Sequence, residues 1–178
     1  MKGIFWKEGE AFTNSMSLIV SLLVRYPGIA TISLDPEQKT LQFTFIIART
    51  LSALEYQVLT KKIRDSLEAM AMLVGREGLQ IEMALSGDNG MSFLEIKRDI
   101  NSLLPEEIAL LTALIDCEFQ GELVCDQDET LEEEDQALQE EMIERMLEDL
   151  RDSRQEKKLI GFREEGRVLV FNRASLPK

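Results

Sequence analysis

Histidine is absent from the 178 residues. That removes the commonest general base near neutral pH, the usual nucleophilic triads and the commonest metal ligand. What remains able to do chemistry is carboxylates, two thiols and a handful of cations. Glu82 and Glu95 stand on adjoining expected strands, and a carboxylate pair is the smallest acid–base device available. Neither lies in an apolar stretch that would raise its pKa, so both belong on an exposed sheet face. Cys117 and Cys125 are too few for a disulfide framework or a four-ligand zinc site. No Lys or Arg lies between Arg98 and Arg145 to favour a thiolate, and the two read as small buried side chains. The acidic run DQDETLEEED at 126–135 suggests calcium until the loop is counted out. An EF-hand begun at Asp126 wants glycine at 131 and glutamate at 137, and the chain has Leu131 and Ala137. With no phosphate-binding glycine loop, nucleophile elbow or dinucleotide fingerprint either, no catalytic, cofactor or metal residue is assigned. The chain reads as leaning away from an enzyme, with a carboxylate-site enzyme kept among the alternatives.

Gly75-Arg76-Glu77-Gly78 has the bare GxxG spacing. In KH domains such a loop joins two helices and clamps a nucleic-acid backbone, and the elements before it resemble the type II KH order. Residues 79–85 alternate like a strand where KH requires a second helix, however, and Glu77 sets negative charge where a phosphate would approach. The simpler reading is a glycine cap followed by a glycine entry into a strand. Arg25, Arg49, Lys61, Lys62 and Arg64 could form one basic patch, although Lys61 and Lys62 can equally pair along their helix with Asp65 and Glu68. The nucleic-acid alternative therefore rests on Lys61, Lys62, Arg64, Gly75, Arg76 and Gly78.

Net charge is −13 and unevenly placed. Residues 1–100 are nearly balanced, with 11 Lys and Arg against 12 Asp and Glu, whereas residues 126–149 carry 12 acids and one Arg. An acidic segment of this kind repels phosphate backbones and attracts basic partners, or simply keeps one helix face solvated. Leu138, Met142, Ile143, Met146, Leu147 and Leu150 recur at helical spacing within it, so the spacing predicts an amphipathic helix over 131–156. Leu138, Met142, Met146 and Leu150, with Glu133 and Glu134, are the candidate contacts for a protein partner or for self-association.

The elements that would position these residues are legible in outline. A long helix over 51–74 anchors the chain, with Leu51, Leu54, Val58, Ile63, Leu67, Met70 and Val74 expected on one face. Ser52 and Glu55 have capping-box spacing, and Gly75 suits a left-handed stop. Before it come a short strand–turn–strand at 3–12, a helix ending at Pro27-Gly28, and strands at 29–34 and 40–48 around Asp35-Pro36. After it, 79–85 and 91–97 form a second hairpin, Pro105 opens a helix to about 119, and 159–162 with 167–171 form a terminal hairpin. A weak echo links Lys2–Phe12 with Ile160–Phe171, two short hairpins of similar build that could be spatial neighbours.

The fold expected is α+β, a mainly antiparallel sheet with helices packed on one face, plus a C-terminal acidic helix and terminal hairpin. Its parts are a core at 1–125, the acidic amphipathic arm at 126–157 and a hairpin at 158–178 returning to the core. Composition, 44% hydrophobic and 30% charged, is that of a globular chain. No apolar run reaches membrane-spanning length and no leader pattern opens the sequence, so a cytoplasmic location is expected. The function expected is non-catalytic protein–protein interaction or assembly through the acidic helix and sheet edges. The alternatives are an RNA- or ribosome-associated factor, or a small-ligand-binding regulatory domain.

Overall fold

The computed structural model describes residues 4–5, 14–125, 133–152 and 158–172. The remainder of the first strand–turn–strand, the acidic residues 126–132 and the side chains of Glu133 and Glu134 lie outside the described residues. In chain order the elements are β1 (Ile4–Phe5), α1 (Asn14–Arg25), β2 (Thr31–Asp35), β3 (Thr40–Ile47), α2 (Ala53–Leu73), β4 (Ile81–Asp88), β5 (Met91–Asp99), α3 (Pro105–Glu118), α4 (Glu133–Asp152), β6 (Leu159–Glu164) and β7 (Arg167–Asn172).

All seven strands join one sheet in the order β1-β7-β6-β2-β3-β5-β4. Every pairing is antiparallel except β1 with β7, where Ile4 lies beside Val168 and Phe5 beside Leu169. The first and last described strands are therefore neighbours. The terminal hairpin returns to the core, β6 pairing with β2 from Thr31–Phe162 to Leu34–Leu159.

Strand alternation decides which side is buried, because neighbours along a strand point to opposite faces. Across the sheet, Val170, Gly161, Ile32, Phe43, Ile96 and Met83 occupy one row. Ile32, Phe43 and Ile96 in that row are fully buried, as are Leu41, Phe45 and Leu94. The row crosses every strand from β4 to β7 on the same side, and α1, α2 and α3 close over that side. The α+β architecture with helices on one face of a mainly antiparallel sheet is what the sequence predicted. Among the described residues no helix is long and apolar enough to cross a membrane.

Helix α1 lies on the β6–β7–β2 half, and its closest approach is set by a glycine. A methyl group built on Gly161 would stand 2.2 Å from Ile19 Cγ2 and 3.1 Å from Leu23 Cδ1. Any side chain there would push the helix off the sheet. Arg163, two residues on, donates from its guanidinium to the carbonyls of Leu23, Tyr26, Pro27 and Ile29, satisfying acceptors that the end of α1 leaves open.

Helix α2 is stopped and started as its sequence implies. Ser52 accepts from the Glu55 N–H at 3.1 Å, and the Glu55 carboxylate accepts from the Ser52 N–H at 2.7 Å. At the other end Gly75 has φ +74°, and Arg76 N–H donates back to Ala71 while Gly75 N–H donates to Met72. This is a Schellman stop.

Its buried face differs from the expected one. Leu59, Ile63, Leu67 and Ala71 are buried, whereas Leu54, Val58 and Val74 are 70%, 57% and 53% exposed. Leu54 lies nine residues before Ile63, which at 3.6 residues per turn is about two and a half turns. The two must point in opposite directions. The apolar residues of α2 form two stripes, and only one reaches the core.

Candidate functional site

Helix α4, the acidic segment, rests on the body through one side. Ile143, Leu147 and Leu150 are buried against α1 and α3, and Met146 is half-buried. Two polar clamps hold its ends. Arg25 at the end of α1 donates to Glu140 at 2.9 Å, and Arg151 in the last turn donates to the carbonyls of Ile100 and Leu103 ahead of α3. Arg25 also stacks over Tyr26, 5.0 Å from the ring centre. The Tyr26 hydroxyl is pushed above its ordinary pKa by burial, with Glu140 and Glu106 adding to the shift against the opposing pull of Arg25.

Of the candidate contacts on this helix, Leu150 is spent on the core and Met146 is partly covered, but Leu138 and Met142 remain 59% and 47% exposed. They stand four residues apart, so they share a face. Asp135, Glu141, Arg145 and Asp149 fall on the same side of the helix and are exposed. On the other flank, where α4 meets α1 and the start of α3, an open recess of about 300 Å³ is lined by Tyr26, Pro105, Glu106, Ala137, Glu140 and Glu144. Arg145 is paired only loosely with Glu141, at 3.8 Å. The surface is apolar at its centre and acidic at its rim.

The proposed basic patch is largely neutralised. Arg25 pairs with Glu140, Arg49 with Glu55 and Glu122, Lys61 with Asp65 and Lys62 with Glu118. Arg49 is held further toward its charged form by hydrogen bonds to Glu122 and Glu55. Gly75, Arg76 and Gly78 lie in an exposed turn, but Gly78 leads into strand β4, not into the second helix that a KH loop would join. Arg76 also reaches across to the carbonyl of Ser102 at 3.1 Å. Lys61 and Lys62 sit mid-helix in ion pairs, Arg64 is exposed on the same helix, and the glycine turn lies past the end of that helix.

The same turn does meet the most buried charge of the described residues. Arg98, 2% exposed, lies at an inward position of β5, in line with Leu94 and Ile96. Its Nε donates to Glu107 Oε2 at 2.9 Å and its Nη2 to Glu107 Oε1 at 3.1 Å, while Nη1 donates to Gln80 O and to Asp99 Oδ1. Asp99 in turn accepts from the Ser102 N–H and hydroxyl. Burial raises the Glu107 pKa above the ordinary carboxylate value and Arg98 only partly offsets it. For Asp99, burial works upward too, but the Ser102 hydrogen bonds and Arg98 together outweigh it and hold the carboxyl low. A recess of about 230 Å³ opens beside the pair, yet the guanidinium's donors already face protein acceptors. This is a structural pair tying β5 to α3. Sequence parity could have found it, because Arg98 falls on the inward phase of Leu94 and Ile96; the strand was expected to end at Lys97.

Glu82 and Glu95 fall on the face of the sheet away from the helices, in different rows and opposite Lys97 and Ala84 respectively. Glu82 pairs with Lys97 at 3.6 Å. They do not converge on a site. Both cysteines are free and exposed, a correction to the expectation of burial: α3 turns Ile115 and Phe119 inward, which leaves Cys117, two residues from each, on the outer side.

Helix α2 carries the other exposed apolar surface. Leu54, Val58, Met72 and Leu73 on the helix are between 57% and 88% exposed. Comparison with protein-family models, with curated proteins and with solved structures finds no match to this chain.

Proposed function

We propose that this chain is a non-catalytic protein that works through protein–protein contact, with α4 offering the surface to a partner. One observation carries the reading. Leu138 and Met142 stay exposed on a helix that has already buried Ile143, Leu147 and Leu150 in the same body. A helix docked by one side and apolar on a second side has room for another element against it. The acidic rim around Leu138 and Met142 selects for charge, and the partner that fits is a Lys- or Arg-rich amphipathic segment. Sheet edges supply further contact positions, β4 at one end and β1 at the other.

The nucleic-acid alternative loses support from the pairing of Arg25, Arg49, Lys61 and Lys62 with carboxylates. Among the described residues no recess gives specific support to a small-ligand reading.

The test compares affinity capture from cell extract by the full chain and by a Leu138→Glu, Met142→Glu variant. A binder captured by the first and lost by the second, with release by salt, supports the reading. Identical capture by both overturns it.

A further inference from the structure

The outer stripe of α2 runs along the helix as Leu54, Val58, Lys61, Asp65, Ala69 and Met72, opposite the buried stripe of Leu59, Ile63 and Leu67. All six are exposed. Among the described elements the extended contacts of α2 are with α3 and β4, and both involve its other sides. At 1.5 Å per residue the 21 residues of the helix present a strip about 31 Å long.

The order of residue types along this strip has a symmetry. At its centre Lys61 and Asp65 are paired at 2.6 Å, with side chains 78% and 57% exposed. An ammonium has three donors and a carboxylate two acceptor oxygens, so each retains capacity for a second partner. Leu54 stands seven residues before Lys61, and Met72 seven residues after Asp65. Turned end for end about a point beside Ile63, the strip maps Lys61 onto Asp65 and Leu54 onto Met72. Val58 falls opposite Glu68, with Ala69 next to it, so the contact is closest at the centre and at the two ends.

From this self-complementarity we infer that α2 is a homodimer interface, two copies pairing antiparallel across a two-fold axis near Ile63. Each Lys61 then faces the Asp65 of the second copy, four charges alternate at the centre, and Leu54 meets Met72 at each end. An isologous contact of this kind requires a surface complementary to itself. The α4 surface is not. Its rim of Asp135, Glu141 and Asp149 would repel its own copy, so α4 is left for a basic partner. The α2 inference goes beyond the α4 reading and stands without it.

The decisive experiment is light scattering behind size exclusion on the full chain, up to on the order of 100 µM, where a small, weak interface assembles. Wild type is expected at twice the 20.3 kDa chain mass. Lys61→Glu and Asp65→Lys should each run as folded monomers, with far-ultraviolet dichroism unchanged, because each sets like charges opposite one another at the centre of the strip. An equimolar mixture of the two should regain the dimer, since a negative strip then meets a positive one. Monomeric wild type overturns the inference, and so does a dimer that survives both substitutions. Either result leaves the α4 capture experiment free to succeed or fail by itself.

Discussion

Arg98 and Glu107 form a two-pronged ion pair sealed between β5 and α3, with nitrogen–oxygen distances of 2.8–3.1 Å and side chains only 2% and 4% exposed. A buried pair adds little net stability over apolar groups of the same shape, but removing one partner strands the other. Arg98→Met should lower unfolding stability by about 3 kcal/mol at pH 7. The Glu107 carboxyl, already raised by burial, rises further once its cation is gone. A raised folded-state pKa gives stability that is present below the unfolded value and lost as pH climbs through the folded one. The defect should therefore shrink toward pH 4.5, and adding Glu107→Leu should recover much of it at pH 7. Chemical denaturation of the two variants at both pH values reads this directly.

Asp99 has the opposite sign. Its carboxyl is held below the ordinary 3.8 by Ser102 and Arg98 acting against burial. Its contribution is present above that ordinary value and disappears as pH falls through the lowered one. Asp99→Asn should be less stable than wild type near neutrality, and the two denaturation midpoints should converge as the pH falls below the ordinary 3.8 and through the lowered folded-state value.

Gly161→Ala tests how closely α1 lies on the sheet. Its new methyl group would meet Ile19 at 2.2 Å, and relief requires moving a helix that is buried on two sides. The expected loss is about 1–3 kcal/mol, seen as a lower thermal midpoint. Pairing it with Ile19→Ala should recover part of that loss, because the contact that clashes is removed.

The docking of α4 can be separated from its outer surface. Leu147→Ala opens a cavity under the helix and should cost about 2–5 kcal/mol. Leu138→Ala removes a side chain 59% exposed and should stay within about 0.5 kcal/mol of wild type. Hydrogen exchange of the α4 amides should quicken in the first variant and not in the second.

Period and punctuation decided much of this protein by themselves. The alternation of Leu41, Phe43, Phe45 and Ile47, and the capping box of Ser52 with Glu55, are local matters, settled by neighbours within a few residues. So were the helix stops and the hairpin turns. Those signals were enough for the α+β class and for the face of the sheet that is buried in β3. The concentration of acid in one helix was also plain from composition.

Tertiary structure decided what each stripe meets. Leu54 and Val58 look like core residues in a list of apolar positions, but the body buries α2 along Leu59, Ile63, Leu67 and Ala71. Leu138 and Leu147 are equally apolar residues of one acidic helix, and only the contact with α1 and α3 separates the exposed one from the buried one. The Arg98–Glu107 pair depends on β5 and α3 being brought face to face. The pairing of β6 with β2 joins segments more than 120 residues apart, beyond the reach of any local pattern. Local propensity sets which elements form; burial against a distant partner sets which of their faces remain available for function.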